Sequence, residues 1–214
     1  MRPIYIYIHI ACINHYEDIL GRFIAQIYES GLYDSVTEIR YCILGRDDSL
    51  TVNDPKIRIR NHNEDITLYE TFTLNCIHED SKIENFDILY LHTKGVTKPG
   101  NTHVKDWVEY MVYFLVYQFK ECLTYLKVYD TVGVNLQDPD FAKCHYGGNF
   151  WWSKSEYIRT LSSCIHDNYY SPEFWLCESK KGKYIGLWNS KCPHYIDAYP
   201  SYIYRDKGVY PYSI

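Results

Sequence analysis

The stretch of this chain best equipped for chemistry is His92-Thr93-Lys94-Gly95, which follows directly on the apolar run Phe86-Asp87-Ile88-Leu89-Tyr90-Leu91. A lysine brings a point positive charge suited to a diphosphate, a threonine brings a hydroxyl, and a glycine lets a ligand approach the backbone closely. A buried strand ending in such a cluster delivers it to the edge of a sheet, where the ligands of open α/β folds bind. Two other expected strand ends share that edge: His9-Ile10-Ala11-Cys12 and Gly45-Arg46-Asp47-Asp48. The competing reading is that polar residues simply cover a strand end.

A second group lies in Gly147-Gly148-Asn149-Phe150-Trp151-Trp152. Glycines admit a sugar ring to the backbone, an asparagine both donates to and accepts from hydroxyls, and an indole face stacks on pyranose C–H groups. Gly148 and Asn149 lead as site residues over either tryptophan. Alternation along a strand also sends at least one of the three aromatic rings into the core.

The elements that must carry these groups alternate between strand and helix. Ile4 to Ile10 alternates as a strand, and a helix runs from about Tyr16 to Ser30, closed by Gly31. Strands follow at Glu38 to Leu44 and Ile57 to Arg60, then a helix from about Leu68 to Lys82 and the central strand ending at Leu91. After Pro99-Gly100 the longest helical pattern, His103 to Lys127, spaces Trp107, Tyr110, Met111, Phe114, Leu115 and Gln118 along one broad face. Strands at Thr131 to Asn135 and Asn149 to Ser153 and a helix from Ser155 to about His166 complete the pattern, and the last 45 residues read as irregular. This predicts an α/β domain over residues 1–214, standing alone or as one domain of a longer protein, with a mostly parallel central sheet flanked by helices.

Composition narrows the function. A chain of 214 residues with 46% hydrophobic content has enough material for one complete core and a deep cleft. A net charge of -5 opposes nucleic-acid binding, which rests on clustered lysine and arginine. The 24 tyrosines favour flat polar ligands such as sugars and bases. The chain opens directly into a strand and holds no apolar run of membrane-spanning length, so neither a signal peptide nor a membrane span is expected. Eight cysteines without a Cys-x-x-Cys pair fit reduced thiols in a cytosol.

The segments Asp87 to Val96, Tyr129 to Asn135 and His145 to Lys154 resemble, in residues, order and spacing, the compact GT-A-type glycosyltransferases of large algal DNA viruses and of some bacterial glycan-synthesis clusters. The likeness runs from the first strand to about Leu176. It implies a GT-A, Rossmann-like fold, a UDP-sugar donor, transfer of a hexosyl unit to a glycan acceptor such as that of a glycoprotein, and a divalent cation, Mn2+ or Mg2+. It also implies a cytoplasmic location, the host cytosol for a viral protein. Donor contacts are then expected from His9, Ile10, Ala11, Arg46, Tyr69, Thr73, His92, Thr93 and Lys94, with Lys94 also acting in catalysis. The resemblance of the second group's strand likewise implies sugar or acceptor contacts from Gly147, Gly148, Asn149 and Trp152. The chain departs from the family where an Asp-x-Asp sequence normally binds ribose and metal: His92-Thr93-Lys94 stands there. The metal would then be held largely by the diphosphate, with His92 or the distant His194 as protein ligand, or Lys94 would replace part of its charge; His194 reads equally as a satisfied neutral imidazole. Glu173 lies where inverting enzymes of this fold place the carboxylate that takes the acceptor proton, and reads equally as a first-turn helix carboxylate after Pro172. Tyr69, Glu70 and Thr73 open the helix before the central strand, where Thr67 and Glu70 also fit a capping box. Without Asp-x-Asp, a non-catalytic nucleotide-sugar or glycan-binding module remains the alternative.

Overall fold

Strand β1 (Ile4–Ala11) shows how the sequence builds a sheet covered on both sides. Its isoleucines Ile4, Ile6, Ile8 and Ile10 enter one core cluster, while Tyr5 and Tyr7 enter another, because successive side chains leave a strand on opposite faces. A computed structural model describes residues 2–46, 50, 52–138, 143–165, 167–179 and 181–214. Asp47 and Asp48 of the second strand-end loop, and His166, lie outside the described residues.

Helix α1 (Tyr16–Glu29) buries Tyr16, Ile19, Leu20, Phe23 and Ile27 at helical spacing against the isoleucine face. Gly31 follows it at φ 75°, the left-handed closure expected there, and a single turn, α2 (Leu32–Ser35), leads into β2 (Glu38–Leu44) and β3 (Ile57–Asn63). Strand β3 runs three residues past its expected end at Arg60. Helix α3 (Thr71–Ser81) covers the tyrosine face, and β4 (Asp87–His92) pairs in parallel with β1, setting His9 beside His92.

The long helical pattern is broken. Helix α4 (Thr102–Val112), capped by the Asn101 side chain accepting from Val104 N at 3.1 Å, passes into a π-helical turn, Tyr113–Tyr117, before α5 (Phe119–Tyr125). The extra residue of a π turn lets the apolar face keep facing the sheet as the helix bends. Strand β5 (Thr131–Gly133) and the antiparallel β6 (Trp151–Lys154) are shorter than expected, and α6 (Ser155–Ile158) is a single turn. The C-terminal part is less irregular than its sequence suggests: α7 (Ser171–Trp175), β7 (Tyr184–Gly186) and β8 (Tyr212–Ser213) are all formed, and both strands extend the sheet.

The described residues form one eight-stranded sheet in the order β3-β2-β1-β4-β6-β5-β7-β8. Strands β1 to β4, β5 and β7 run parallel; β6 and β8 run against them. This is the mixed α/β architecture, mostly parallel and flanked by helices, that strand-helix alternation implies. Among the described residues no helix is long and apolar enough to cross a membrane.

Candidate functional site

A cavity of about 340 Å3 opens beyond the carboxyl ends of β1 and β4, roofed by the turn before α3 and by the start of α7. His9, Ala11, His92, Thr93 and Lys94 line it, as do Tyr69, Asn149 and Glu173. The structure therefore brings eight of the expected site residues to one cleft. It is held open by short links between strand ends: Thr93 N donates to His9 O at 3.0 Å, and Ala11 N donates to Thr93 Oγ1 at 3.1 Å.

The centre of the polar floor is Glu70, for which the sequence offers two readings, a place beside the nucleotide at the start of the helix and a capping box with Thr67. No capping box forms. Asp65 instead caps a 3-10 turn, Ile66–Leu68, accepting from Thr67 N at 2.9 Å, and Glu70 turns its carboxylate into the cleft. There Oε2 accepts from Asn149 Nδ2 at 2.6 Å and from Tyr90 OH at 2.9 Å, while Oε1 stands 3.3 Å from His92 Nδ1. Its partners lie up to 79 residues away in the chain, so no local pattern could have signalled the role.

Lys94 is half-buried, and among the described residues its ammonium makes no hydrogen bond and no ion pair. It sits 4.1 Å from the centre of the Trp107 ring, a cation–π contact that orients it without neutralising it. Burial pushes its pKa down, and the nearby charges of Glu173 and Glu70 oppose that shift. Burial, followed by the charge of Lys94, lowers His92 to about 3, and burial lowers His9 to about 4, so both imidazoles are neutral at pH 7. His92 Nε2 lies 3.1 Å from Gly148 O, and His9 Nδ1 lies 2.8 Å from Thr73 Oγ1. Glu173 Oε1 accepts from Gly148 N at 3.0 Å, which fixes the carboxylate at the cleft wall.

Several expected contacts fall elsewhere. Ile10 points away from the cleft into the isoleucine-face core, as β1 alternation requires. Arg46 is an exposed surface residue ion-paired to Glu64 Oε2 at 2.5 Å. Thr73 is fully buried behind His9 and supports it without lining the cavity. Trp152 is also fully buried, its indole N–H donating to Leu115 O at 2.8 Å; it is a core residue with no face open to a sugar. Gly147 packs against Asn135, its N–H donating to Asn135 O at 3.1 Å. Gly148 has φ 93°, and a Cβ there would overlap Met111 Sδ and lie 3.1 Å from Trp107 Cε2. It is glycine because helix α4 occupies the space a side chain would need, not because a sugar does.

The two histidines proposed for metal do not combine into a ligand set. His194 is stacked flat on Trp107, with ring centres 5.1 Å apart and planes 4° apart, and its Nε2 is held by Ser190 Oγ at 2.8 Å and Asn135 Nδ2 at 3.2 Å. Both nitrogens of His92 face groups already named. Among the described residues no three His, Cys, Asp or Glu side chains converge as ligands. Mn2+ and Mg2+ take mainly oxygen ligands in octahedral arrangement, and a buried imidazole beside the Lys94 ammonium does not supply that. The donor set does not fit a divalent ion held by the protein alone.

Electrostatically, the cleft sets the half-buried Lys94 and the exposed Lys98, neither ion-paired among the described residues, beside two carboxylates and two neutral imidazoles. That arrangement can bind an anionic group at Lys94, exchange hydrogen bonds with hydroxyls along the floor, and accept a proton at Glu173. No curated protein matches the chain. A family model described as a domain of unknown function (DUF8361) matches residues 17–173, which span every element of the cleft except β1 and the loop of His194 and Tyr195, and the chain belongs to that family.

Proposed function

We propose that the protein is a GT-A-type glycosyltransferase that moves a hexosyl unit from a UDP-sugar to a glycan acceptor in the cytoplasm. The observation that carries this reading is Lys94: a half-buried ammonium with no anionic partner among the described residues, presented at the carboxyl end of a central parallel strand. A desolvated, unpaired charge is costly to hold, and a diphosphate is the ligand whose charge would offset that cost. The strand order from β3 to β6 supports the same reading, since it places the cleft where nucleotides bind in Rossmann-like sheets.

The acceptor hydroxyl attacks the anomeric carbon, forming the new C–O bond as the bond from that carbon to the diphosphate breaks. Glu173 takes the hydroxyl proton, and Lys94 meets the negative charge that grows on the departing UDP. Glu70, Asn149 and the neutral His9 hold the sugar's hydroxyls. Among the described residues the Mn2+ or Mg2+ implied by the resemblance finds no convergent set of protein ligands, and no step of this reading passes through a metal.

The alternative, which rests on the absence of an Asp-x-Asp sequence after the central strand, is a nucleotide-sugar or glycan-binding module without turnover. Release of free UDP from a panel of UDP-sugars, with and without Mn2+, separates the two. The enzyme releases UDP from at least one of them, faster when acceptor is present. Tight UDP binding with no release under either condition would establish the binding module.

A further inference from the structure

Three tyrosines stand at the mouth of the cleft: Tyr69 in the turn before α3, Tyr169 ahead of α7, and Tyr195 in the C-terminal loop. Core packing does not explain them, since Tyr169 is 70% and Tyr195 56% exposed, although a tyrosine ring gains by burial. Tyr69 is moreover held at φ 46°, a backbone region that bulky residues avoid and that is retained mainly at functional sites.

The rings are braced by one another. Tyr169 meets Tyr69 with centroids 6.1 Å apart at 82°, and Tyr170 at 5.3 Å and 85°. Tyr195 meets Trp107 edge-on at 4.9 Å and 83°, and the Lys98 ammonium lies 4.6 Å from its centre. Beneath them lie the Glu70 and Glu173 carboxylates. Burial and then the charges of those carboxylates raise the pKa of Tyr169, and burial followed by Glu173 raises Tyr195 to about 12, so both hydroxyls remain donors at physiological pH.

A fixed aromatic face beside carboxylate acceptors suits a ring that is apolar on one side and rich in hydroxyl donors at its edge. Both carboxylates keep acceptor positions beyond those taken by Tyr90, Asn149 and Gly148, which a sugar's hydroxyls can fill and a purely apolar ligand cannot. We infer that the tyrosine mouth is a pyranose-binding subsite in which Tyr169 stacks on the C–H face of a sugar ring and Glu70 and Glu173 accept from its hydroxyls. The inference rests on the UDP-sugar reading of the cleft, and the ring is that of the donor or of the acceptor.

Calorimetric titration of the wild type, Tyr169→Ala and Tyr169→Phe with UDP, with UDP-glucose, UDP-galactose and UDP-xylose, and with the corresponding methyl glycosides tests it. Tyr169→Ala leaves UDP affinity within about twofold and weakens the tightest sugar probe about fivefold, the scale of one lost aromatic contact; Tyr169→Phe binds like the wild type. Loss with the UDP-sugars assigns the ring to the donor, and loss with the methyl glycosides assigns it to the acceptor. Sugar affinities unchanged in Tyr169→Ala, or a wild type that binds UDP but no sugar moiety, would overturn the subsite while leaving the nucleotide reading intact. A wild type that does not bind UDP would overturn that reading and the subsite with it.

Discussion

Replacing Lys94 by methionine deletes the half-buried ammonium at the cleft floor, which among the described residues has no acidic partner, while keeping most of the apolar stem beside Trp107. In the free protein two effects oppose each other: the cation–π contact, about 0.5–1 kcal/mol, is lost, and the cost of desolvating an unpaired charge is relieved. Stability should therefore change by no more than about 1 kcal/mol. With UDP bound, the charge-assisted contact to the diphosphate disappears. Such contacts contribute about 1.5–3 kcal/mol, so UDP should bind roughly 10- to 150-fold more weakly. Turnover should fall further, by about 2–4 kcal/mol of barrier, as when one preorganised donor to a developing charge is removed. Titration calorimetry with UDP, paired with urea denaturation of both proteins, reads these effects separately. Lys94→Ala should lose the same UDP affinity. A Lys94→Met protein that binds UDP within twofold of wild type would refute the role of the charge.

Three other perturbations have defined outcomes. Gly148→Ala should destabilise the fold by about 2–4 kcal/mol, because it combines a left-handed backbone with overlap of Met111; a urea midpoint equal to wild type would show that α4 yields to the methyl group. Glu173→Gln should preserve UDP affinity and lower the rate of UDP release by about 10²- to 10⁴-fold, and turnover within a few-fold of wild type would remove Glu173 from proton transfer. Stability should be full above about pH 6.5 and decline as the pH falls, since His9 and His92 titrate near 6.5 when unfolded but are held at about 4 and about 3 in the fold. At pH 5 the unfolded chain has taken up protons that the native state refuses, a loss of about 2 kcal/mol for His9 alone; urea midpoints equal at pH 7 and pH 5 would contradict neutral, buried histidines.

What the sequence made legible follows the range of the interactions involved. The apolar run before His92 identified a central strand because burial on both faces leaves no polar alternation, and the polar cluster at its end was placed correctly in the cleft. Period-two alternation foretold that at least one of Phe150, Trp151 and Trp152 would enter the core; all three do, Trp151 on the face opposite the other two. Glu70 was obscured because its spacing from Thr67 satisfies a local capping pattern, whereas its actual partners Tyr90 and Asn149 become neighbours only in the folded sheet. Strands β7 and β8, three and two residues long, have no periodicity to detect and exist through pairing with distant strands. The tyrosines of the mouth, scattered among 24, carried no spacing signal at all.

The proposed function requires that the cleft take a uridine diphosphate, and thermal unfolding in the presence of UDP, GDP or CMP, each with and without Mn2+, tests that most directly. A ligand at about 100 times its dissociation constant adds about 2.7 kcal/mol of apparent stability, which in a domain of this size raises the midpoint by roughly 5–10 °C. The prediction is a shift of that size for UDP, a smaller one for GDP and CMP, and loss of the UDP shift in Lys94→Met. Equal shifts for all three nucleotides, or none for UDP under either condition, would contradict it.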